Sequence, residues 1–263
     1  MNILYGALGM ILFFSITFSQ SPYEISWKKD GIILGTNFLI GATASSLDKS
    51  PTPLSGAEIN TLSRTDVFLL DRSATHNYSE ELSSASDILV GMTIAAPLTL
   101  FFDNAMRNDW KIISTMYVET VLFSTFVPSL GKRNIERIRP YVYNADAPLS
   151  RKTSVEAKRS FFSGHTTWAF STSIFWATVY CDFYPASRWK PYVWGGALVA
   201  ASSVGILRYT SGAHFPTDVL VGAAVGSAIG YIVPMLHKKN DYNIDVSFQT
   251  MKEQSNLSLY FIL

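Results

Sequence analysis

Apolar residues gather in six stretches of helical length, at residues 27–47, 86–106, 110–130, 165–181, 190–208 and 216–236. Stretches this long predict α-helices, so the chain reads as mostly helical. Gly195, Gly196, Ala197, Ala200 and Ala201 in the fifth stretch, with Gly222, Ala223, Ala224, Gly226 and Gly230 in the sixth, are small enough to let helices pack closely. Residues 48–85 are polar and rich in Ser and Thr, long for a connection, which predicts a lid or a partly disordered segment to which no chemistry is assigned.

The pattern changes at both ends. Tyr242, Ile244, Val246 and Phe248 alternate with polar residues, as do Leu257, Leu259 and Phe261, so residues 241–263 predict a terminal β-hairpin. Two strands cannot close a membrane barrel. Residues 1–20 form a further apolar run, with Thr17, Phe18 and Ser19 placed like a small-residue cleavage site. The run reads as a secretory signal; its lack of Lys and Arg keeps an uncleaved anchor open, and either form engages a membrane. With no long Pro/Gly/Ser-rich linker, residues 21–240 read as one domain.

Composition removes some functions. Lys and Arg number 21 against 20 Asp and Glu, so the basic excess needed to grip nucleic acid is missing and no such partner is expected. A 48% hydrophobic and 16% charged chain lies between a globular enzyme and a frank membrane protein. Cys181, the single cysteine, cannot form an intramolecular disulfide and reads as a buried small hydrophobe. Its distance to Arg188 is one residue too long for the C-x5-R loop of cysteine phosphatases.

Three polar segments interrupt the helical pattern. The first runs from Lys132 to Arg139-Pro140, with Arg133 and Arg137 between; alone it reads as a basic patch at a helix C-terminus or a membrane flank. In the second, Ser163-Gly164-His165, Ser163 is a natural N-cap, and the N–H groups behind it favour an anion. The third runs from Arg208 through His214 to Asp218, where Asp218 has a plain reading as a helix cap and His214 as a buried ring.

Together the segments read K-x6-R-P, S-G-H and R-x5-H-x3-D, and in that order and spacing the chain resembles the type 2 phosphatidic acid phosphatase (PAP2) superfamily over about residues 86–236. That superfamily also contains bacterial class A acid phosphatases, lipid phosphatases and vanadium haloperoxidases. Phe162 stands where a Pro usually precedes Ser-Gly-His, and Leu207 where a Ser usually precedes the Arg. The resemblance implies an all-α, six-helix bundle. It implies that Lys132, Arg139 and Arg208 hold phosphate, joined by the Ser163 hydroxyl and the Gly164 N–H. It implies His214 as nucleophile, Asp218 orienting its ring, and His165 protonating the leaving group. Guanidinium forks match phosphate oxygens, and a histidine nucleophile splits one hard displacement into two easier ones. No metal or cofactor is implied, though phosphate or vanadate could occupy the cradle. His76 and His237 lie in no ligand spacing and read as surface residues.

Family lipid phosphatases are six-helix membrane proteins with the three motifs on one face. Here the motifs fall at consistent helix ends, while Arg107, Lys111, Arg188, Lys190, Lys238 and Lys239 mark the others, a positive-inside arrangement with the site facing the periplasm of a bacterial-type envelope. A cleaved signal would reverse that parity, and Asn37, Asp103 and Glu119 interrupt the stretches, so association with the membrane short of embedding stays open. Glu119 should be buried against protein as a structural partner. The expected substrate is a phosphorylated lipid such as phosphatidic acid, a polyprenyl diphosphate or lipid A. The alternatives are a small phosphate ester for a soluble periplasmic acid phosphatase, a vanadium haloperoxidase, and a non-catalytic membrane scaffold. No obligate protein partner is implied.

Overall fold

The computed structural model describes residues 21–46, 50–239, 244–251 and 254–261. The reading of residues 1–20 as signal or anchor lies outside them. Six long helices form the bundle: α1 (Trp27–Ser46), α3 (Glu80–Ala95), α5 (Trp110–Asn134), α7 (Gly164–Phe183), α8 (Lys190–Thr210) and α9 (Pro216–His237). Three short ones intervene: α2 (Gly56–Thr61), α4 (Asn104–Asn108) and α6 (Leu149–Lys152). At the carboxyl end β1 (Ile244–Met251) pairs antiparallel with β2 (Gln254–Phe261), with Ser247 opposite Ser258, which is the expected hairpin.

Local chemistry sets the helix starts. Ser79 caps α3 by accepting the Leu82 N–H, with Glu80 and Glu81 in the first turn complementing the dipole. Pro216 opens α9, where its missing N–H costs nothing. The stretch 86–106 departs from the expected single helix. It begins early, at Glu80, and near Pro97 gives way to a tighter 3-10 segment, Ala96–Phe102, before Asp103 restarts the chain as α4 by accepting the Ala105 and Met106 N–H groups.

Helix α7 is the hub, packed against α3, α5, α8 and α9. Its buried face carries Thr166, Thr167, Ser171 and Thr172, whose hydroxyls turn back to backbone or cross to a neighbour, as Ser124 Oγ to Ser171 Oγ at 2.7 Å. The approach to α9 depends on glycine. A Cβ at Gly226 would lie 2.4 Å from the Thr167 carbonyl oxygen, and one at Gly230 2.3 Å from that of Ser171. Small residues therefore set the α7–α9 spacing, as in membrane helix pairs.

The outside is the reverse of the inside. Ile32, Phe38, Leu39, Ile88, Val199 and Leu220 are all exposed. The segments Glu80–Phe102, Trp110–Asn134 and Pro216–His237 are long and apolar enough to cross a membrane. Apolar exterior and small polar interior together support embedding in a bilayer.

Two expectations are corrected. Residues 50–79 are ordered through α2 and short 3-10 turns into the start of α3, and Asp71 within them is fully buried, tied to the motifs described below. His237 is not a surface residue: it is buried at the end of α9 against Asp30 and Glu119. His76 is exposed, Cys181 buried, and Glu119 buried against protein, as expected.

Candidate active site

All three motifs reach one end of the bundle because α5 and α8 finish there while α7 and α9 begin there. Lys132 sits in the last turn of α5, and Arg139 follows on the strand-like segment whose Arg137 bridges to Arg159. Ser163 caps α7 by accepting the Thr166 N–H, and its own N–H donates to the Asp218 carbonyl oxygen at 3.2 Å, fastening the second motif to the third. Between α8 and α9 the chain turns through Gly212, whose φ of 73° and close approach to the Asn77 carbonyl leave no room for a side chain.

His214 lies in that turn, 1% exposed. Its Nδ1 faces Asp218 Oδ2 at 3.6 Å, just outside hydrogen-bond distance, and has no other partner. Its Nε2 lies 3.5 Å from Arg139 Nη1. Burial, and then the charge of Arg139, lower its pKa to about 3, so the ring is neutral over the physiological range.

Asp218 is held on every side. Oδ2 accepts the Ser160 hydroxyl at 2.5 Å and the Phe215 N–H at 3.0 Å, and Oδ1 accepts Arg137. Arg137 gives its other fork to Asp71 Oδ2 at 2.6 Å and stacks on the Phe215 ring at 4.5 Å. Asp71 also accepts the Thr217 N–H and hydroxyl, at 3.1 and 2.8 Å. The carboxylate that faces the histidine is thus fixed by residues from four separate parts of the chain.

The cradle is cationic. Arg139 is aimed by the Glu156 and Ala213 carbonyl oxygens, at 2.8 and 3.1 Å. Lys132 Nζ would lie 3.5 Å from a Cβ at Gly164, and among the described residues it makes no ion pair or hydrogen bond. Lys132 and Arg139 are close enough to both His165 and His214 for their charges to act on each ring. An oxyanion would meet an unpaired ammonium, a guanidinium and the N-terminus of α7.

Arg208 departs from this convergence. Its guanidinium turns to Asp87 of α3 and to Ser83, while its Nε is buried without a partner. Asp87 Oδ1 also lies 3.0 Å from His165 Nε2, so one carboxylate joins the second motif's histidine to the third motif's arginine. Asp71, Asp87, Arg137 and Ser160 were not assigned roles from sequence. The density of Arg around residue 137 was the only visible signal, and a lone Asp or Ser in a polar segment carries none.

Residues 113–242 match the model of the PAP2 superfamily. The chain belongs to the PAP2 superfamily. This PAP2 chain is similar to three curated relatives. It is 36% identical to a probable diacylglycerol pyrophosphate phosphatase 1 of Schizosaccharomyces pombe over 52% of this chain and 58% of that protein. With a lipid A 4'-phosphatase of Porphyromonas gingivalis the identity is 30%, over 58% and 62%. With a lipid A 1-phosphatase of Rhizobium johnstonii it is 34%, over 51% and 57%. The chain thus spans less than two thirds of the length of each. A solved structure, a transmembrane PAP2 type phosphatidylglycerolphosphate phosphatase from Bacillus subtilis, covers 79% of this chain and 94% of its own at 22% identity and a TM-score of 0.45.

Proposed function

We propose that this PAP2 protein is a phosphohydrolase that removes phosphate from a lipid-linked monoester or diphosphate, through a phosphohistidine at His214 and without a metal in the site. The observation that carries the reading is the placement of His214. It is buried and neutral, with Nδ1 turned to the clamped Asp218 and Nε2 turned to the cationic cradle. That leaves Nε2 as the nitrogen with a lone pair for phosphorus.

In the first step the Nε2 lone pair forms an N–P bond as the bond from phosphorus to the leaving oxygen breaks. The leaving oxygen takes a proton from His165; burial and the charges of Lys132 and Arg139 lower its pKa to about 4, and the negative charge of the incoming phosphate, with Asp87 at 3.0 Å, offsets them. In the second step water attacks phosphorus and gives a proton to His165, the N–P bond breaks, and phosphate leaves. Asp218 takes the Nδ1 proton as a hydrogen bond while the ring is cationic. Lys132, Arg139 and the Gly164 N–H hold the phosphoryl oxygens, where their charge matters most at the transition state, and Arg208 joins them by turning its guanidinium from Asp87.

The lipid assignment rests on the apolar exterior and on the three relatives, which are named for lipid phosphates. An apolar groove of about 370 Å³ between α8 and α9, lined by Phe170, Ile206, Tyr209, Pro216 and Leu220, flanks the turn that carries His214 and is the place for the lipid chain. Arg107, Lys111, Arg188, Lys190, Lys238 and Lys239 at the opposite end of the bundle support a site on the outer, periplasmic face of a bacterial-type membrane.

The test is phosphate release by protein in detergent, with a brief EDTA treatment, from an aryl phosphate, phosphatidic acid, a polyprenyl diphosphate and lipid A. The reading expects release from one of the lipids that survives EDTA and vanishes in His214→Ala. Failure to release phosphate from any of them by folded protein would overturn it, and halide oxidation dependent on added vanadate would replace it with haloperoxidase chemistry.

A further inference from the structure

A second buried cluster lies at the far end of α9 from the phosphate cradle. His237 of α9, Asp30 of α1 and Glu119 of α5 are each at most 5% exposed, and one ligand atom from each lies within 4.8 Å of the others. His237 Nε2 stands 2.7 Å from Asp30 Oδ1 and 3.3 Å from Glu119 Oε2.

The ring's other nitrogen decides what Nε2 can do. Nδ1 lies 2.8 Å from the Val233 carbonyl oxygen, which can only accept, so Nδ1 carries a proton. In the neutral ring, Nε2 then presents a lone pair to two carboxylates, and three acceptors converge with no donor among them. Either a metal ion or more than one proton must sit there. A single proton on Nε2 satisfies Asp30 but not Glu119: both Glu119 oxygens are buried and form no hydrogen bond. It also leaves two carboxylates against one imidazolium, an uncompensated negative charge in the bundle interior.

We propose that Asp30, Glu119 and His237 bind one divalent cation of the Zn²⁺ class, joining α1, α5 and α9. Two carboxylates and a neutral imidazole balance a charge of +2, and one nitrogen with two oxygens is a donor set such ions accept. The separations of 2.7 and 3.3 Å between ligand atoms need only small side-chain shifts to surround an ion at about 2.0–2.2 Å. The Nδ1–H to Val233 bond is the outer contact that commonly fixes a metal-bound histidine's tautomer. The ion's role is structural: it would tie the first helix to the core far from the reacting atoms, and it stands apart from the metal-free chemistry proposed at His214.

The experiment uses untagged full-length protein in detergent, stripped with chelator and titrated with Co²⁺ as a visible probe. The proposal expects one ion per chain, d–d absorption showing nitrogen and oxygen ligands, and a raised thermal midpoint. Glu119→Gln keeps the shape and should weaken binding by about 100-fold, whereas His214→Ala should leave binding unchanged. No stoichiometric uptake by folded protein, or uptake undiminished in Glu119→Gln, would overturn it. Should that variant not fold, wild-type protein with ¹⁵N-labelled histidine suffices. A shift of the His237 Nε2 resonance on adding Zn²⁺ supports the site, and an imidazolium signal indifferent to Zn²⁺ assigns the cluster to a shared proton and overturns it.

Discussion

A buried histidine stands beside a carboxylate at each end of α9, His214 in the turn before the helix and His237 in its last turn, and the two pairs have opposite surroundings. At its start, His214 and Asp218 are ringed by Arg137, Arg139 and Lys132; at its finish, His237 meets Asp30 and Glu119 with no cation in contact among the described residues. Residue type therefore does not decide the chemistry. A surplus of fixed positive charge makes the first pair a place for an oxyanion, and a surplus of carboxylate makes the second a place for a cation. About 33 Å of helix separates them, at 1.5 Å per residue over 22 residues.

The comparison can be broken from its first end most severely by Asp218→Asn. The substitution keeps the shape but removes the charge that fixes the His214 tautomer, and kcat should fall by about 10²- to 10⁴-fold with a smaller change in KM, read in steady-state assays. Cation uptake at His237 should be untouched. Arg137→Met is the next step down. It leaves Asp71 and Asp218 without their shared fork, and loss of one member of a buried pair is costly, so kcat should drop by about 10- to 100-fold. Rescue by Arg137→Lys should be incomplete, because one ammonium cannot replace a fork that spans two carboxylates.

Gly226→Leu tests whether the spacing of α7 and α9 is what brings the motifs together. The new side chain meets the Thr167 carbonyl, and the thermal midpoint should fall by the equivalent of about 1–3 kcal/mol, the usual range for overpacking. An unchanged midpoint would show that the two helices can part without cost.

The smallest effect is in pH. The folded pKa of His214, about 3, is below its ordinary 6.5, so between these values the unfolded chain takes up a proton that the folded chain refuses. Its contribution to stability is present above pH 6.5 and is lost as pH falls towards 3. The stability advantage of wild type over His214→Gln should therefore shrink as pH falls below 6.5, measured by thermal midpoints in detergent. An advantage that grows on acidification would mean that His214 is held protonated.

Much of this was legible in the chain. The apolar stretches located all six long helices, since length and apolar content survive any packing arrangement, and the motif spacing named Lys132 and Arg139, which lie by His214, together with Arg208, which turns to Asp87 instead. The break at Pro97 was visible as a residue but was not used as a helix boundary. What stayed hidden are contacts between distant segments. Asp71 reaches Arg137 across 66 positions and Thr217 across 146, and Ser160 reaches Asp218 across 58. No local period marks such residues. His237 misled for the same reason: next to Lys238 and Lys239 it looks like a solvated helix end, and only the return of α1, with Glu24 donating its N–H to the His237 carbonyl at 2.9 Å, buries it.

The central claim is a covalent bond from His214 to phosphorus. Rapid acid-free quenching of wild-type protein with a ³²P-labelled lipid diphosphate, followed by peptide mapping, tests it most directly. The account predicts alkali-stable, acid-labile label on the peptide containing His214, absent from His214→Ala and longer-lived in a variant with His165 replaced by Gln. Turnover with no labelled histidine, or undiminished turnover in His214→Ala, would contradict it.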